Sequence, residues 1–303
     1  PEQAGVSNTT VTMNAASMNN SGFEFSATYR NRDRDFKYEL SANLSTLRNR
    51  VTSLGFGTDS YISGAYITNV GQEIGQFYGW AYEGIARTQE DLDNHATQEG
   101  AQIGDCLYKD ISGPDGKPDG KVDANDQVVL GSGMPKIHFG LNARFEYKRF
   151  DLSIATFGAL NYHVSDDIYN SLNSCYGWGN KEVGMLDANR FSEDGSTYLS
   201  NVPRTYVTNS ASLGWNDLFS SRKTQNAAYW KIANVELGYN FPNEWFGKYV
   251  SDVRFYVSAQ NLHTFTGYHG YNVDYAGGTF TPGYNFCSYP TARTFMCGVH
   301  FTF

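Results

Sequence analysis

The chain has 303 residues, a formal net charge of -8 at neutral pH, and 22 Tyr and 20 Phe beside 31 Gly. Nothing in that acidic balance suggests a nucleic-acid partner, and no run approaches the ~20 apolar residues of a membrane-crossing helix. Crossing by strands stays open, because a barrel strand shows lipid only alternate residues and its hydropathy averages away. Aromatic residues exceed what a core of this size needs, and barrels place such an excess in girdles at the membrane interfaces, with glycines at turns.

The chain opens on Pro1-Glu2-Gln3-Ala4, with neither a charged amino-terminal region nor an apolar signal core. For an outer-membrane protein this implies the carboxy-terminal part of something longer. Phe23, Phe25, Ala27 and Tyr29 alternate with Glu24, Ser26 and Thr28. After the charged turn 31–35, Phe36, Tyr38, Leu40, Ala42 and Leu44 alternate with Lys37, Glu39, Ser41, Asn43 and Ser45. Period two predicts strands, and the pair predicts a hairpin apolar on one face and polar on the other.

Ile137, Phe139, Leu141, Ala143, Phe145 and Tyr147 form the next apolar set, and a strand from Asp151 to about Ala159 returns after the short turn at Lys148-Arg149. Ala233, Val235, Leu237, Tyr239 and Phe241 alternate with Ile232, Asn234, Glu236, Gly238 and Asn240, ending at Pro242-Asn243. After a turn containing Trp245, Phe246 and Tyr249, the next strand sets Val253, Phe255, Val257 and Ala259 against Arg254, Tyr256, Ser258 and Gln260. The last ten residues place Phe295, Cys297, Val299, Phe301 and Phe303 on one face and Thr294, Met296, Gly298, His300 and Thr302 on the other. An aromatic face on a final strand, with nothing after it to cover it, suits lipid as its solvent.

Seven strands are therefore legible, joined by short turns on one side and by long connections, 46–136, 160–228 and 263–293, on the other. Bacterial barrels keep short turns in the periplasm and long loops outside, whereas a compact soluble domain rarely holds structureless loops of that length. Another strand pair inside 46–136 would shorten the first. Seven strands with polar residues such as Glu236, Arg254 and Gln260 on one face cannot close a barrel, since open edges are not tolerated in lipid. The fold class expected is all-β: a transmembrane antiparallel β-barrel segment, 1–303, forming part of a larger wall.

The sharpest local signal for chemistry is the acidic loop Asp115 to Asp126. Hard cations take six to eight oxygen ligands, and a twelve-residue loop offers them at positions 1, 3, 5, 7, 9 and 12 with glycine at 6. Counting from Asp115 puts Asp119 at 5, Gly120 at 6, the Lys121 carbonyl at 7, Asp123 at 9 and Asp126 at 12. Position 3 is Lys117, so Asp110 or Ser112 would have to complete the set. The cofactor expected is a structural calcium, against the plainer reading of a solvated acidic turn.

The long loops gather Tyr162, Tyr169, Tyr176, Trp178, Tyr206 and Trp215 among Asn173, Asn180, Asp187 and Asn216. Flat rings beside amides and carboxylates suit sugars and peptides, which singles out Tyr176, Trp178, Asn180 and Trp215 as substrate-binding candidates. The plainer reading packs these rings against one another. Six histidines without metal spacing, and no nucleophile elbow or phosphate-cradling loop, leave no enzyme signature. Cys106, Cys175, Cys287 and Cys297 form no regular framework, although two of the first three could bridge in an oxidising compartment.

With these motifs laid out, the chain resembles the carboxy-terminal third of SusC/RagA-family TonB-dependent outer-membrane transporters of Bacteroidetes. The resemblance rests on Asn14-Ala-Ala-Ser-Met18, Gly22-Phe-Glu-Phe25, Gly71-Gln-Glu-Ile-Gly-Gln-Phe-Tyr-Gly79, Glu83-Gly-Ile85, Gly104-Asp105 and Tyr108-Lys-Asp110. It continues through Pro135-Lys136, Gly140-Leu-Asn142, Phe150-Asp-Leu-Ser153, Leu237-Gly238-Tyr239, Val257-Ser-Ala-Gln-Asn-Leu262, Tyr289-Pro and Arg293-Thr-Phe295. The acidic loop departs from the family pattern in its longer Ser112-Gly-Pro-Asp-Gly-Lys-Pro-Asp-Gly run.

The resemblance implies a plugged barrel of about 22 strands, with its plug and TonB-contacting segment in a portion outside this chain. It also implies import of oligosaccharides or peptides with TonB and a SusD-like surface lipoprotein, loops facing the exterior and the carboxy-terminus the periplasm. It implies no covalent chemistry. The rival class is a secreted calcium-dependent carbohydrate-binding β-sandwich.

Overall fold

A computed structural model describes residues 16–55, 57–113, 115–175, 179–205, 214–246, 250–274 and 277–303. Its body is a seven-stranded antiparallel sheet that contains every strand read from the alternation. They are β1 (Glu24–Asn31), β2 (Phe36–Thr46), β3 (Ile137–Tyr147), β4 (Phe150–Leu160), β5 (Tyr229–Asn240), β6 (Asp252–Thr266) and β7 (Thr294–Thr302). Spatial order equals chain order, so the sheet is an open meander with β1 and β7 as its edges. Closure needs strands beyond these seven.

Register turns the alternation into two continuous faces. Phe36 faces Tyr147, which faces Phe150, which faces Tyr239. Deeper in the sheet, Phe145 faces Leu152, and a row continues through Leu237, Val257 and Cys297. Leu237, Val257 and Phe301 are 44%, 42% and 51% exposed, so no second layer of the described residues covers this face. A sandwich would have buried those three side chains between sheets.

Aromatic rings collect at the short-turn end of the apolar face. Tyr29 lies 5.8 Å from Tyr38, Phe36 stacks on Phe145 at 6.0 Å, and Phe150 meets Tyr239 at 4.8 Å. Tyr239 meets Phe241 at 5.0 Å and Phe241 meets Trp245 at 6.0 Å, which extends the band into the next turn. Rings with one apolar and one wettable side settle at such a boundary.

One stretch departs from the alternation. Extending the pattern back from Val235 puts Ala233 on the apolar face and Ile232 on the polar one, and the structure reverses Ile232. The register of β5 slips between Ile232 and Asn234 against β6 and, against β4, opposite Ala155/Thr156. On β6 the mismatch is absorbed at Asn261, whose φ of 52° lies in the left-handed region that Asn tolerates better than most residues. The Asn261 side-chain amide donates to the Ala292 carbonyl at 3.0 Å. Beyond this bulge Ile232 and Trp230 join the apolar face, Trp230 stacks on Phe265 at 5.3 Å, and Lys231 turns to the polar face.

The long connections are not structureless. Among the described residues, 47–136 hold seven strands where one hidden pair was expected: Arg48–Ser53 pairs with Ser17–Ser21, and Ser60–Ser63, Tyr66–Asn69, Gln76–Trp80 and Gln127–Ser132 form a four-stranded sheet. Tyr82–Ile85 pairs with Cys106–Tyr108, and the helix Gln89–Asn94 starts at Thr88 with a reciprocal capping box to Asp91. His163–Asp166 pairs with Gln225–Asn226 and, in parallel, with Tyr284–Asn285, which ties the second long connection to the third. No helix among the described residues is long and apolar enough to cross a membrane.

Candidate functional site

The polar face gathers several of its charges into paired groups. Arg254 donates from Nε to Asp151 at 3.0 Å, and from Nη2 to Asp151 at 2.5 Å and to Glu236 at 2.8 Å. Fork geometry of this kind is the strong form of the pair. The guanidinium passes over Gly238, where a Cβ would collide with both Arg254 and Asp151, and lies 5.4 Å from the Tyr256 ring, which covers Gly298 in turn. Two glycines that look like weak points in strands are thus the room these side chains need.

Towards the long-loop end, Lys231 is only 4% exposed and forms an ion pair with Asp274 of the third long connection. Its ammonium also lies 5.8 Å from the Phe157 ring centroid. Beside the pair opens a cavity of about 500 Å³, lined among others by Met134, His138, Tyr162, Tyr229, Asp274 and Pro282. Residues of the polar face form its floor, and the returning connection forms its roof. A buried node holds that roof: Asp166 accepts from the Tyr169 amide at 2.9 Å, from the Tyr268 hydroxyl, and from Asn285 Nδ2 at 2.9 Å. Sequence reasoning named Tyr162 but missed Lys231 and Asp274, since the face of Lys231 is decided by the bulge at Ala233.

The acidic loop folds around its own backbone. Asp126 is fully buried and accepts from the amides of Ile111 at 2.7 Å, Ser112 at 3.0 Å and Asp123 at 2.7 Å. Burial alone would push its carboxyl up, but these donors outweigh it and hold Asp126 below the usual carboxylate range. Asp110 accepts from the amides of Asp119 at 3.3 Å and Gly120 at 2.7 Å. Asp119 accepts from the Lys121 amide at 3.0 Å and Asp123 from the Asn125 amide at 2.7 Å.

Gly120 takes the left-handed turn its place in the count requires, at φ 84°, while Asp115 and Lys121 lie exposed. The all-oxygen donor set suits a hard cation. Its carboxylates nevertheless point at backbone N–H groups rather than at one centre, and no three His, Cys, Asp or Glu converge among the described residues.

Of the substrate-binding candidates, Tyr176 and Trp178 lie outside the described residues, as do Tyr206 and Tyr249. Asn180 is exposed. Trp215 donates its indole N–H to the Glu99 carbonyl at 2.9 Å and packs on the buried cluster of Cys106, Tyr108 and Val122. The Tyr108 hydroxyl donates back to the Trp215 carbonyl at 2.5 Å. Next to it, Asn216 accepts from the Cys106 amide at 2.7 Å and donates to Asp105 at 2.8 Å, and Asp105 also receives Arg204 Nε at 2.5 Å. Trp215 and the Gly104-Asp105 motif thus brace the loops. All four cysteines are free thiols, and burial pushes Cys106 up to about 12 and Cys175 up to about 11.

No family model matches the chain. It is 30% identical to TonB-dependent receptor P3 of Formosa agariphila, in an alignment covering 100% of the chain and 30% of that protein. It is 25% identical to TonB-dependent receptor SusC of Bacteroides thetaiotaomicron, over 98% of the chain and 27% of that protein. A solved structure of the RagAB peptide transporter matches with a TM-score of 0.72 at 21% identity, over 94% of this chain and 29% of that one. The RagAB peptide importer in its closed-closed state gives 0.70 at 23% identity, over 94% and 30%. These structural likenesses carry the fold, and the chain spans about 30% of the length of the first relative.

Proposed function

Because the chain is a segment of a SusC/RagA-type TonB-dependent receptor, we propose that it builds part of the wall of an outer-membrane barrel through which nutrients are imported. The observation that carries this reading is the uncovered apolar face with its aromatic band, backed by a polar face that holds ion-paired groups such as Arg254 with Asp151 and Glu236. A wall between lipid and a wet lumen needs that pairing of faces. A secreted sandwich needs a second sheet on the apolar side, and the described residues supply none.

In this reading the chain is the carboxy-terminal part of the receptor, with the plug and the TonB-contacting segment elsewhere in the polypeptide. The long connections face the exterior and the carboxy-terminus the periplasm. A SusD-like lipoprotein caps the loops, and the cargo, an oligosaccharide or a peptide, is held between lid and loops until the plug is remodelled. The chain makes and breaks no covalent bond. Its residues hold shape: Arg254 ties three strands at the short-turn end, and Lys231 with Asp274 ties a loop to the wall at the other.

The test is uptake in cells carrying the complete receptor with or without its lipoprotein and with or without TonB. Import of labelled oligosaccharide or peptide should require the receptor and TonB and should fall when the lipoprotein is deleted. Full-length receptor recovered as a monodisperse protein from detergent-free buffer would contradict the reading. Calcium in the acidic loop remains a proposal: Asp119 and Asp123 each accept an amide on Oδ1, and a carboxylate has a second oxygen to offer an ion. Chelation should then raise proteolytic cutting between residues 110 and 126 and leave the strands folded; unchanged cutting counts against the ion.

A further inference from the structure

We propose that the hairpin tip between β3 and β4 is a binding site for the headgroup of an anionic phospholipid, a reading that rests on the membrane placement above. Tyr147 and Phe150 face each other across the tip, leaving Lys148 and Arg149 as a two-residue turn. Lys148 has φ 55°. Hairpins fill such left-handed positions with Gly, Asn or Asp, so turn geometry alone does not account for lysine here.

Charge and position point to that use. Lys148 and Arg149 are both exposed, and neither makes an ion pair with a described carboxylate. The adjacent β1–β2 turn is internally balanced, Arg32 and Arg34 against Asp33 and Asp35, with Arg32 3.5 Å from Glu39. Lys148 and Arg149 are therefore the cations of the tip itself, between that balanced turn and the β5–β6 turn with its Glu244 and Asp252.

Directly beside it stands the aromatic band: the Lys148 ammonium lies 5.3 Å from the Tyr147 ring centroid, and Phe36 lies 6.4 Å from Tyr147. A cationic tip bordered on the membrane side by rings and then by Phe145 and Leu152 offers a phosphate contact and an acyl-chain track together. An anionic lipid has both parts, and a free phosphate has only the first. Basic side chains at a membrane surface attract anionic lipid by roughly a factor of five each.

The experiment is native mass spectrometry of the full-length receptor in detergent, titrated with phosphatidylglycerol, phosphatidylcholine or inorganic phosphate. Wild type should retain phosphatidylglycerol in preference to phosphatidylcholine, and inorganic phosphate should not displace it. The double variant Lys148→Gln, Arg149→Gln should bind phosphatidylglycerol about thirtyfold more weakly with its phosphatidylcholine binding unchanged. Lys148→Gly relieves the turn and controls for folding; it should keep thermal stability and lose about fivefold in phosphatidylglycerol binding. Phosphatidylglycerol binding that survives the double variant, or displacement by inorganic phosphate, overturns the site. A receptor that needs no detergent overturns the membrane placement instead, so the two failures are told apart.

Discussion

Leu141→Arg is expected to cost the inserted receptor about 2–4 kcal/mol, the price of a cation near the middle of a bilayer on the lipid side of a barrel. Leu141 lies on the apolar face, 46% exposed, between the aromatic band at Tyr147 and the Trp230–Phe265 stack towards the other rim. Its row neighbours are Ala42 and Thr156. The adjacent residue supplies the control. Asn142 faces Ser41 and Ala155 from the polar side and is also exposed, so Asn142→Arg should change stability by no more than about 0.5 kcal/mol.

Urea titration of receptor refolded into bilayers gives the two differences directly. In a water-soluble sheet both positions would be ordinary exposed surface and both changes nearly silent. Equal, small effects at 141 and 142 therefore contradict a lipid-facing surface.

Asp274→Asn is expected to destabilise the roof of the lumen-side cavity more than Lys231→Met does. The two ends of that ion pair are unequally wet, with side-chain exposures of 5% for Lys231 and 29% for Asp274. Removing the carboxylate strands an ammonium that water cannot reach, a loss on the order of 3 kcal/mol or more. Removing the ammonium leaves an unbranched apolar side chain against Phe157 and a carboxylate that can rehydrate, which should cost about 1 kcal/mol. Limited proteolysis within 267–293 reads the difference. Asp274→Asn should open that connection to cleavage at protease levels where Lys231→Met and wild type resist. The reverse order would mean that Asp274, rather than Lys231, is the desolvated partner.

The wall was legible because its physics is local. Each strand must present one apolar and one polar face, and residues such as Phe36, Tyr38 and Leu40 against Lys37, Glu39 and Ser41 write that demand with period two. The bulge was not legible. Ala233 simply continues the apolar set and Asn261 carries no hydrophobic signal, so nothing in the alternation marks where Ile232, Trp230 and Lys231 exchange faces, although Asn261 is a residue type that such a φ favours. The loop site was harder still. Lys231 and Asp274 are 43 residues apart and meet only because the third long connection folds back over the wall.

The acidic loop was located correctly as a turn-rich segment with glycine at its tightest point. Spacing alone cannot tell an oxygen aimed at a cation from one aimed at an amide. Asp126 illustrates the ambiguity: the same burial and the same three donors would hold a carboxylate charged with or without a metal nearby. Trp215 shows the converse case, a ring proposed for cargo whose N–H is already committed to Glu99.

The most direct measurement places a fluorophore on each face of the wall in full-length receptor reconstituted in bilayers, with Cys287 and Cys297 replaced by serine. Val257→Cys should be quenched by nitroxide-bearing acyl chains and shielded from aqueous iodide, and Asn142→Cys should show the opposite pattern. A label at 257 that iodide quenches and the acyl nitroxides do not would contradict the central claim that hydrocarbon wets the apolar face.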